Sequence, residues 1–351
     1  MKFFSCIFAL ASVAMAAPME RSGSALDVKL EMVGNTNVKV VITNTGASNL
    51  RLLKTGSILG HVPTQRLTVS SNSEALEFDG PKLYISPYSL TSENFQEIAA
   101  SESVEVTIDI AEVYDLSRGG SFKISGAGSI GYAEANSTTL VGTVQFKAAD
   151  IEAEIDGDEA AFSRIAFHQK RTQKRAILTE CSGDKLAIAE RALGNCVTLA
   201  RGAASAAASG PAAKMEEYFK SSSDATRATV TDVFNRIISE CGSTNAGVSR
   251  MFCSDPYNYC SSATAYTVPW ESYTAFCDSW FFGGWEDLSG TCHQADRASI
   301  ALHEMTHLSE IKGTDDYSCY GYDCVLGLTP EQNINHADTY LNFANAIYVG
   351  C

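Results

Sequence analysis

His303-Glu304-Met305-Thr306-His307, with Gly313-Thr314-Asp315-Asp316 close behind it, is the stretch on which the reading of this chain turns. On an α-helix, residues four apart share a face, so both imidazoles reach one point beside the backbone. The spacing predicts that helix from about Gln294 onward. Neutral imidazole suits zinc, and two histidines on one helical turn need little ordering to grip an ion. Glu304 stands one position round from His303, where its carboxylate can take a proton from an attacking water without being a ligand. A catalytic zinc needs a third protein ligand and an open fourth position. The spacing HExxHxxGxxH would supply a third histidine, but this chain has Glu310 and Gly313 at the decisive places. Gly313 lets the chain turn back instead, and an aspartate after it can aim a carboxylate at the ion. Asp315 and Asp316 are both candidates.

The sequence around the motif has helical period. Leu186, Ala189, Leu193, Cys196, Val197 and Ala200 form one apolar stripe, and Val230, Val233, Phe234, Ile237 and Cys241 form another, with Gly242 as a stop. Cys196 and Cys241 each sit on an apolar face, so a bridge between these helices is expected. From about 248 to 290 the chain is rich in aromatics, Pro, Gly and Cys and reads as short strands and loops. A last helix is expected from Thr329, capped by its hydroxyl, with Pro330 in the first turn and Gln332 completing a capping box. Ile334, Asp338, Leu341 and Tyr348 would then share a face. A carboxylate on that face, Asp338, needs a partner.

Ten of the eleven cysteines, all but Cys6, lie in this C-terminal half. An even set without a CxxC pair points to disulfides formed in an oxidising compartment rather than to a thiolate metal site.

Residues from about 25 to 150 are different. Leu26–Met32, Asn37–Ile42, Val104–Ile110 and Ser121–Ile124 alternate apolar and polar between Gly, Asn and Ser clusters, which predicts an antiparallel β-sandwich. This half carries no cysteine and no catalytic constellation. Between the halves lies Lys170-Arg171-Thr172-Gln173-Lys174-Arg175, two dibasic pairs in a polar stretch of the kind that proteases nick. At the N-terminus, Lys2, the apolar run Phe3–Val13 and Ala14-Met15-Ala16 read as an export signal, too short to span a bilayer. The organisation expected is a signal peptide at 1–16, a β-rich propeptide at 17–175 with processing at Lys174-Arg175, and a metalloendopeptidase domain at 176–351.

The net charge of −15 argues against nucleic acid as a partner, because phosphate contacts need a basic face. After Arg175 there are 21 acidic and 10 basic residues, so most of the negative charge lies in the half with the chemistry and favours basic peptides and proteins.

HEMTH followed by GTDDYSCYGYD resembles the deuterolysin family, the fungal aspzincin metalloendopeptidases, whose pattern is HExxH with GTxDxxYG. Glu216–Lys220, Asp255-Pro256-Tyr257 and Ala337-Asp338-Thr339-Tyr340 resemble further family stretches. The resemblance implies a zincin-like α+β fold, mostly helical with a small sheet. It implies one zinc ion per protease domain, held by His303, His307 and Asp316, with Asp315 at the variable position and Glu304 as general base. Three residues, not two, separate Asp316 from the Tyr-Gly pair, so Tyr320 is the match for the tyrosine that stabilises the oxyanion. Asp338 would hydrogen-bond a ligand histidine or line the pocket beyond the scissile bond. Leu341, one turn on from Asp338, speaks against strict lysine specificity. The family's disulfides carry over as Cys181–Cys253, Cys260–Cys277 and Cys292–Cys351, leaving Cys196–Cys241 and Cys319–Cys324. The implied protein is a secreted monomeric zymogen, free of membrane, with its propeptide as chaperone or inhibitor.

Overall fold

The computed structural model describes residues 25–85, 90–169, 178–243, 247–261, 263–317 and 319–351. The expected signal peptide, the dibasic pairs with Lys174 and Arg175, and Ser318 of the three residues between Asp316 and Tyr320 lie outside the described residues.

The N-terminal half is built from β1 (Leu26–Met32), β2 (Asn37–Asn44), β3 (Leu50–Leu53), β4 (Thr68–Ser71), β5 (Glu74–Ala75), β6 (Lys82–Tyr84), β7 (Phe95–Ile98), β8 (Ser103–Asp109), β9 (Gly120–Ser125), β10 (Ala127–Ala133), β11 (Leu140–Lys147) and β12 (Ile151–Ile155), then α1 (Gly157–Gln169). Three antiparallel sheets result, ordered β1-β2-β8, β11-β10-β3-β7 and β12-β9-β4-β5. The period-two pattern works as expected in β2, where Val38, Val40, Ile42 and Asn44 turn inward and their neighbours do not. Asn44 is the polar member of that inward row, and its Nδ2 donates to the carbonyls of Ser48 and Ile98.

The C-terminal half contains β13 (Leu178–Thr179), α2 (Gly183–Ser209), α3 (Ala212–Phe219), α4 (Asp224–Cys241), β14 (Arg250–Phe252), β15 (Ala265–Val268), β16 (Tyr273–Phe276), α5 (Asp278–Phe282), α6 (Arg297–His307), α7 (Gly321–Gly327), α8 (Pro330–Asn333) and α9 (Ala337–Val349). The two apolar stripes become α2 and α4, which pack together and against α6 and α9 around one core. The inner face of α2 is mostly alanine: Ala189, Ala192, Ala200, Ala203 and Ala207 are buried. Small side chains let neighbouring helices approach closely. All five expected disulfides form, Cys196–Cys241 tying α2 to α4.

Strand β6 leaves its own half. It pairs antiparallel with β15 as the last strand of the sheet β13-β14-β16-β15-β6, so that sheet draws on both halves. A shared cluster seals the junction, with Leu53, Val62, Leu83 and Phe95 against Phe252, Tyr259, Tyr266 and Tyr273. Every residue of β15 and β16 is buried.

Two boundaries differ from expectation. The motif helix starts at Arg297, not Gln294, because Asp296 caps it: its carboxylate accepts the Ser299 amide while the Ser299 hydroxyl accepts the Asp296 amide. The helix capped by Thr329 does form with its capping box, but it ends at Asn333 and α9 begins at Ala337. Ile334 therefore lies in the break, and Tyr348 is exposed, while Asp338 and Leu341 are buried as expected. Among the described residues no helix is long and apolar enough to cross a membrane.

Candidate active site

Helix α6 is buried from Ala298 to His307, packed between the α2–α9 layer and β15. Its two imidazoles emerge on one face with Nε2 atoms 3.1 Å apart. Beyond the helix the chain reverses at Gly313, whose φ of +69° favours glycine. Thr314, Asp315 and Asp316 follow, and Asp316 Oδ1 arrives 3.3 Å from His303 Nε2 and 3.4 Å from His307 Nε2. Asp315 points elsewhere: its Oδ1 accepts Lys82 Nζ, and Oδ2 accepts Asn335 Nδ2 at 3.4 Å. Of the two candidate aspartates, then, Asp316 joins the histidines and Asp315 does not.

The hydrogen bonds behind the rings fix their tautomers. His307 Nδ1 lies 2.9 Å from the carbonyl of Thr314, which can only accept. His303 Nδ1 lies 2.8 Å from Asp338 Oδ1. Both Nδ1 atoms therefore donate, and each ring, when neutral, keeps its Nε2 lone pair for the centre. The third atom there, Asp316 Oδ1, has no hydrogen-bond partner. Three buried acceptors facing one another are unfavourable unless a proton or a metal cation lies among them. Tetrahedral zinc with bonds of about 2.0–2.1 Å keeps its ligand atoms about 3.3–3.4 Å apart. The three separations here, 3.1, 3.3 and 3.4 Å, lie close to that spacing, so the residues fit the ion. His303, His307 and Asp316 form a group able to hold a metal.

The electrostatics agree. Burial pulls the His303 pKa down, but the carboxylates of Asp316 and then Asp338 beside the ring override it and push it up to about 10. Burial pushes the Asp316 carboxyl up, yet His307 and His303 hold it well below its usual value. The pull these atoms exert on a proton is the pull they would exert on a cation.

Glu304 is fully buried beside them. Its Oε2 accepts the Thr267 hydroxyl of β15 at 2.6 Å, and its Oε1 has no partner. Burial raises its pKa to about 7, against the opposing charges of His303 and His307 and the Thr267 hydrogen bond. A base with a pKa near neutrality both takes and returns a proton readily. Tyr320 donates its hydroxyl to the Leu83 carbonyl at 2.6 Å, with Asp316 Oδ2 at 3.4 Å. Burial, with the charges of Asp316 and Asp338, holds its phenol well above the usual value, so it stays a donor.

Asp338 holds His303 from behind: its Oδ1 meets the imidazole Nδ1 and its Oδ2 accepts the amide of Gly321. His336 and His293 are away from the centre, His336 on the Thr339 hydroxyl and Cys319 carbonyl, His293 stacked on Tyr322. Thr267 and the Thr314 carbonyl were not legible as site groups, since a strand threonine and a loop carbonyl carry no sequence signal.

The model of the deuterolysin metalloprotease (M35) family matches residues 1–351. The chain belongs to that family. A neutral protease 2 homolog of Colletotrichum graminicola is 47% identical over the full length of both chains, and one of Pyricularia oryzae is 41% identical over 96% of this chain and 95% of its own. Neutral protease 2 of Aspergillus oryzae is 34% identical over 99% and 98%. A solved zinc peptidase from Grifola frondosa covers 47% of this chain and 97% of its own at 16% identity and a TM-score of 0.39, a likeness too loose to bear on the fold. As an M35 protein the chain is a metalloendopeptidase, and the HEMTH helix is where that deuterolysin chemistry has its candidate residues.

Proposed function

We propose that this deuterolysin is a secreted zinc endopeptidase made as a zymogen. Residues 1–16 direct export, 17–175 form the pro-region, cleavage after Arg175 frees the protease domain 176–351, and the protease acts as a monomer on basic proteins. The observation that carries the reading is the convergence of His303 Nε2, His307 Nε2 and Asp316 Oδ1 within 3.4 Å, next to a buried carboxylate with one open oxygen.

His303, His307 and Asp316 would hold the zinc ion. When bound there, zinc supplies Lewis acidity toward a peptide carbonyl and lowers the pKa of water. The remaining work falls to side chains. Glu304 takes the proton of the attacking water at Oε1, while Thr267 steadies Oε2. The protonated carboxyl then returns that proton to the leaving amine. Tyr320, kept protonated by its surroundings, donates to the carbonyl oxygen as negative charge grows on it. Asp338 and the Thr314 carbonyl hold each imidazole proton on Nδ1, which preserves the lone pairs at Nε2. The ten disulfide-bonded cysteines are consistent with export.

The test is metal content and casein hydrolysis by the processed chain beside its Glu304→Gln variant. One zinc per chain is expected in both, with chelator-sensitive hydrolysis only in the first. Hydrolysis that survives complete metal removal, or full turnover by Glu304→Gln, overturns the mechanism.

A further inference from the structure

Strand β6 occupies a place that matters to the site. Its three residues pair with β15 in the register Lys82 to Thr267, Leu83 to Tyr266 and Tyr84 to Ala265. Thr267 is the residue that holds Glu304. Alternate side chains of β6 face opposite ways, as a strand requires. Leu83 enters the cluster shared by the two halves, while Tyr84 enters the core around α6. The Tyr84 ring stands edge-on to His303 with centroids 4.9 Å apart, and edge-on to Tyr320 at 5.8 Å. The Leu83 carbonyl takes the Tyr320 hydroxyl, the same donor that the mechanism offers to a substrate carbonyl. Lys82, also facing the site, places its ammonium on Asp315, one residue before Asp316. Three consecutive residues from the far side of the dibasic stretch thus engage a candidate ligand, the candidate oxyanion donor and an acidic group beside them.

An extended peptide added to a free sheet edge gains main-chain hydrogen bonds, and pockets for alternate side chains give it specificity. Without β6, β15 would be that edge. A second strand cannot lie on β15 while β6 does, and Tyr320 cannot donate fully to two carbonyls. The Asp315 carboxylate is steadied on its other oxygen by Asn335 and aims the first at an incoming cation. The Lys82 side chain is 13% exposed and that of Asp315 30%, so the pair is partly withdrawn from water, where a charge without its partner is costly.

We propose that Asp315 is the acceptor for a basic side chain of a peptide bound as a strand on β15, and that Lys82–Tyr84 is the chain's own occupant of that place, which keeps the uncut enzyme latent. This deepens the reading of the site as a peptidase and rests on it. It gives the preference for basic substrates a specific residue, separate from the overall negative charge.

The experiment uses the full chain with both dibasic pairs replaced by glutamine, loaded with zinc. Three forms are compared: the parent, Lys82→Glu, and Lys82→Glu with Asp315→Lys. Hydrolysis of a fluorogenic peptide is read beside amide hydrogen exchange of residues 265–268. The parent should be latent. Lys82→Glu should raise hydrolysis at least tenfold and loosen exchange protection of β15. Reversing both charges should restore latency and protection, a recovery that mere disruption of the fold would not give. In the chain cut after Arg175, a peptide with lysine should be preferred over its norleucine isostere about tenfold, and Asp315→Asn should bring that ratio toward one. Equal rates and equal protection in parent and Lys82→Glu overturn the proposal, whether the rates are high or low. So does a lysine preference that persists in Asp315→Asn. If no form hydrolyses peptide even after cleavage, the peptidase reading fails, while the exchange measurement still decides whether the Lys82–Asp315 pair holds the strand.

Discussion

Asp338 on α9 holds His303 on α6 through a 2.8 Å contact between Oδ1 and Nδ1, and its second oxygen takes the Gly321 amide at the start of α7. One carboxylate thus orients a candidate metal ligand and anchors the helix that follows the Asp316 loop. Asp338→Asn keeps the shape but offers the imidazole no anionic acceptor. We expect zinc affinity to fall about 10- to 100-fold, measured by competition with a coloured chelator. An affinity unchanged within twofold would show that His303 is oriented by packing alone.

Thr267 bonds one oxygen of Glu304 and thereby favours its charged form. Thr267→Val removes that bond with little change of volume. The carboxylate becomes harder to keep ionised, its pKa rises, and the base is protonated up to a higher pH. The acidic limb of the kcat/KM profile should therefore move to higher pH, with kcat lower by roughly tenfold. A limb that stays in place, or moves toward acid, contradicts the assignment of Glu304 as base.

Basic preference is expected to follow salt. Charges screen over about 8 Å at physiological ionic strength and over about 30 Å at 0.01 M. Protamine should be cut faster than an unfolded acidic protein at low salt, and the ratio should shrink as salt rises. Equal rates for the two at low salt would remove the electrostatic argument.

The disulfides offer a comparison within one molecule. Cys292–Cys351 closes a separation of 59 residues and Cys319–Cys324 one of 5. On the chain-entropy account, replacing the first pair by serine should cost about 4 kcal/mol and the second about 2 kcal/mol. Denaturant unfolding of the two double variants checks the order. A larger loss from the short bridge would mean that it acts by holding the Asp316–Tyr320 loop in shape.

How much of this was legible depends on the range of each interaction. The paired imidazoles of HEMTH are a property of one helical turn, so spacing alone placed them. Spacing did not choose between Asp315 and Asp316, and only the GTxDxxYG resemblance pointed to Asp316, because both lie in one turn and differ only in what stands opposite. Asp316 meets the two imidazoles, whereas Asp315 meets Lys82, 233 residues earlier. The break between α8 and α9 has the same origin. The Asp315 amide donates to the Asn335 carbonyl and the Ala337 amide donates to the Asp315 carbonyl, so the loop claims the backbone where a single helix was expected. Local pattern cannot report such pairing. Strand β6 is only three residues long, too short for any period to mark it.

The alanine face of α2 sets how near α6 can come, and α6 carries both histidines. A methyl group is the least that a side chain can offer, so this seam has no slack to give. Enlarging one of those alanines to valine would shift the imidazoles before it unfolded anything. Such a lesion would register first as weakened metal retention, in a position at least 96 residues before any ligand.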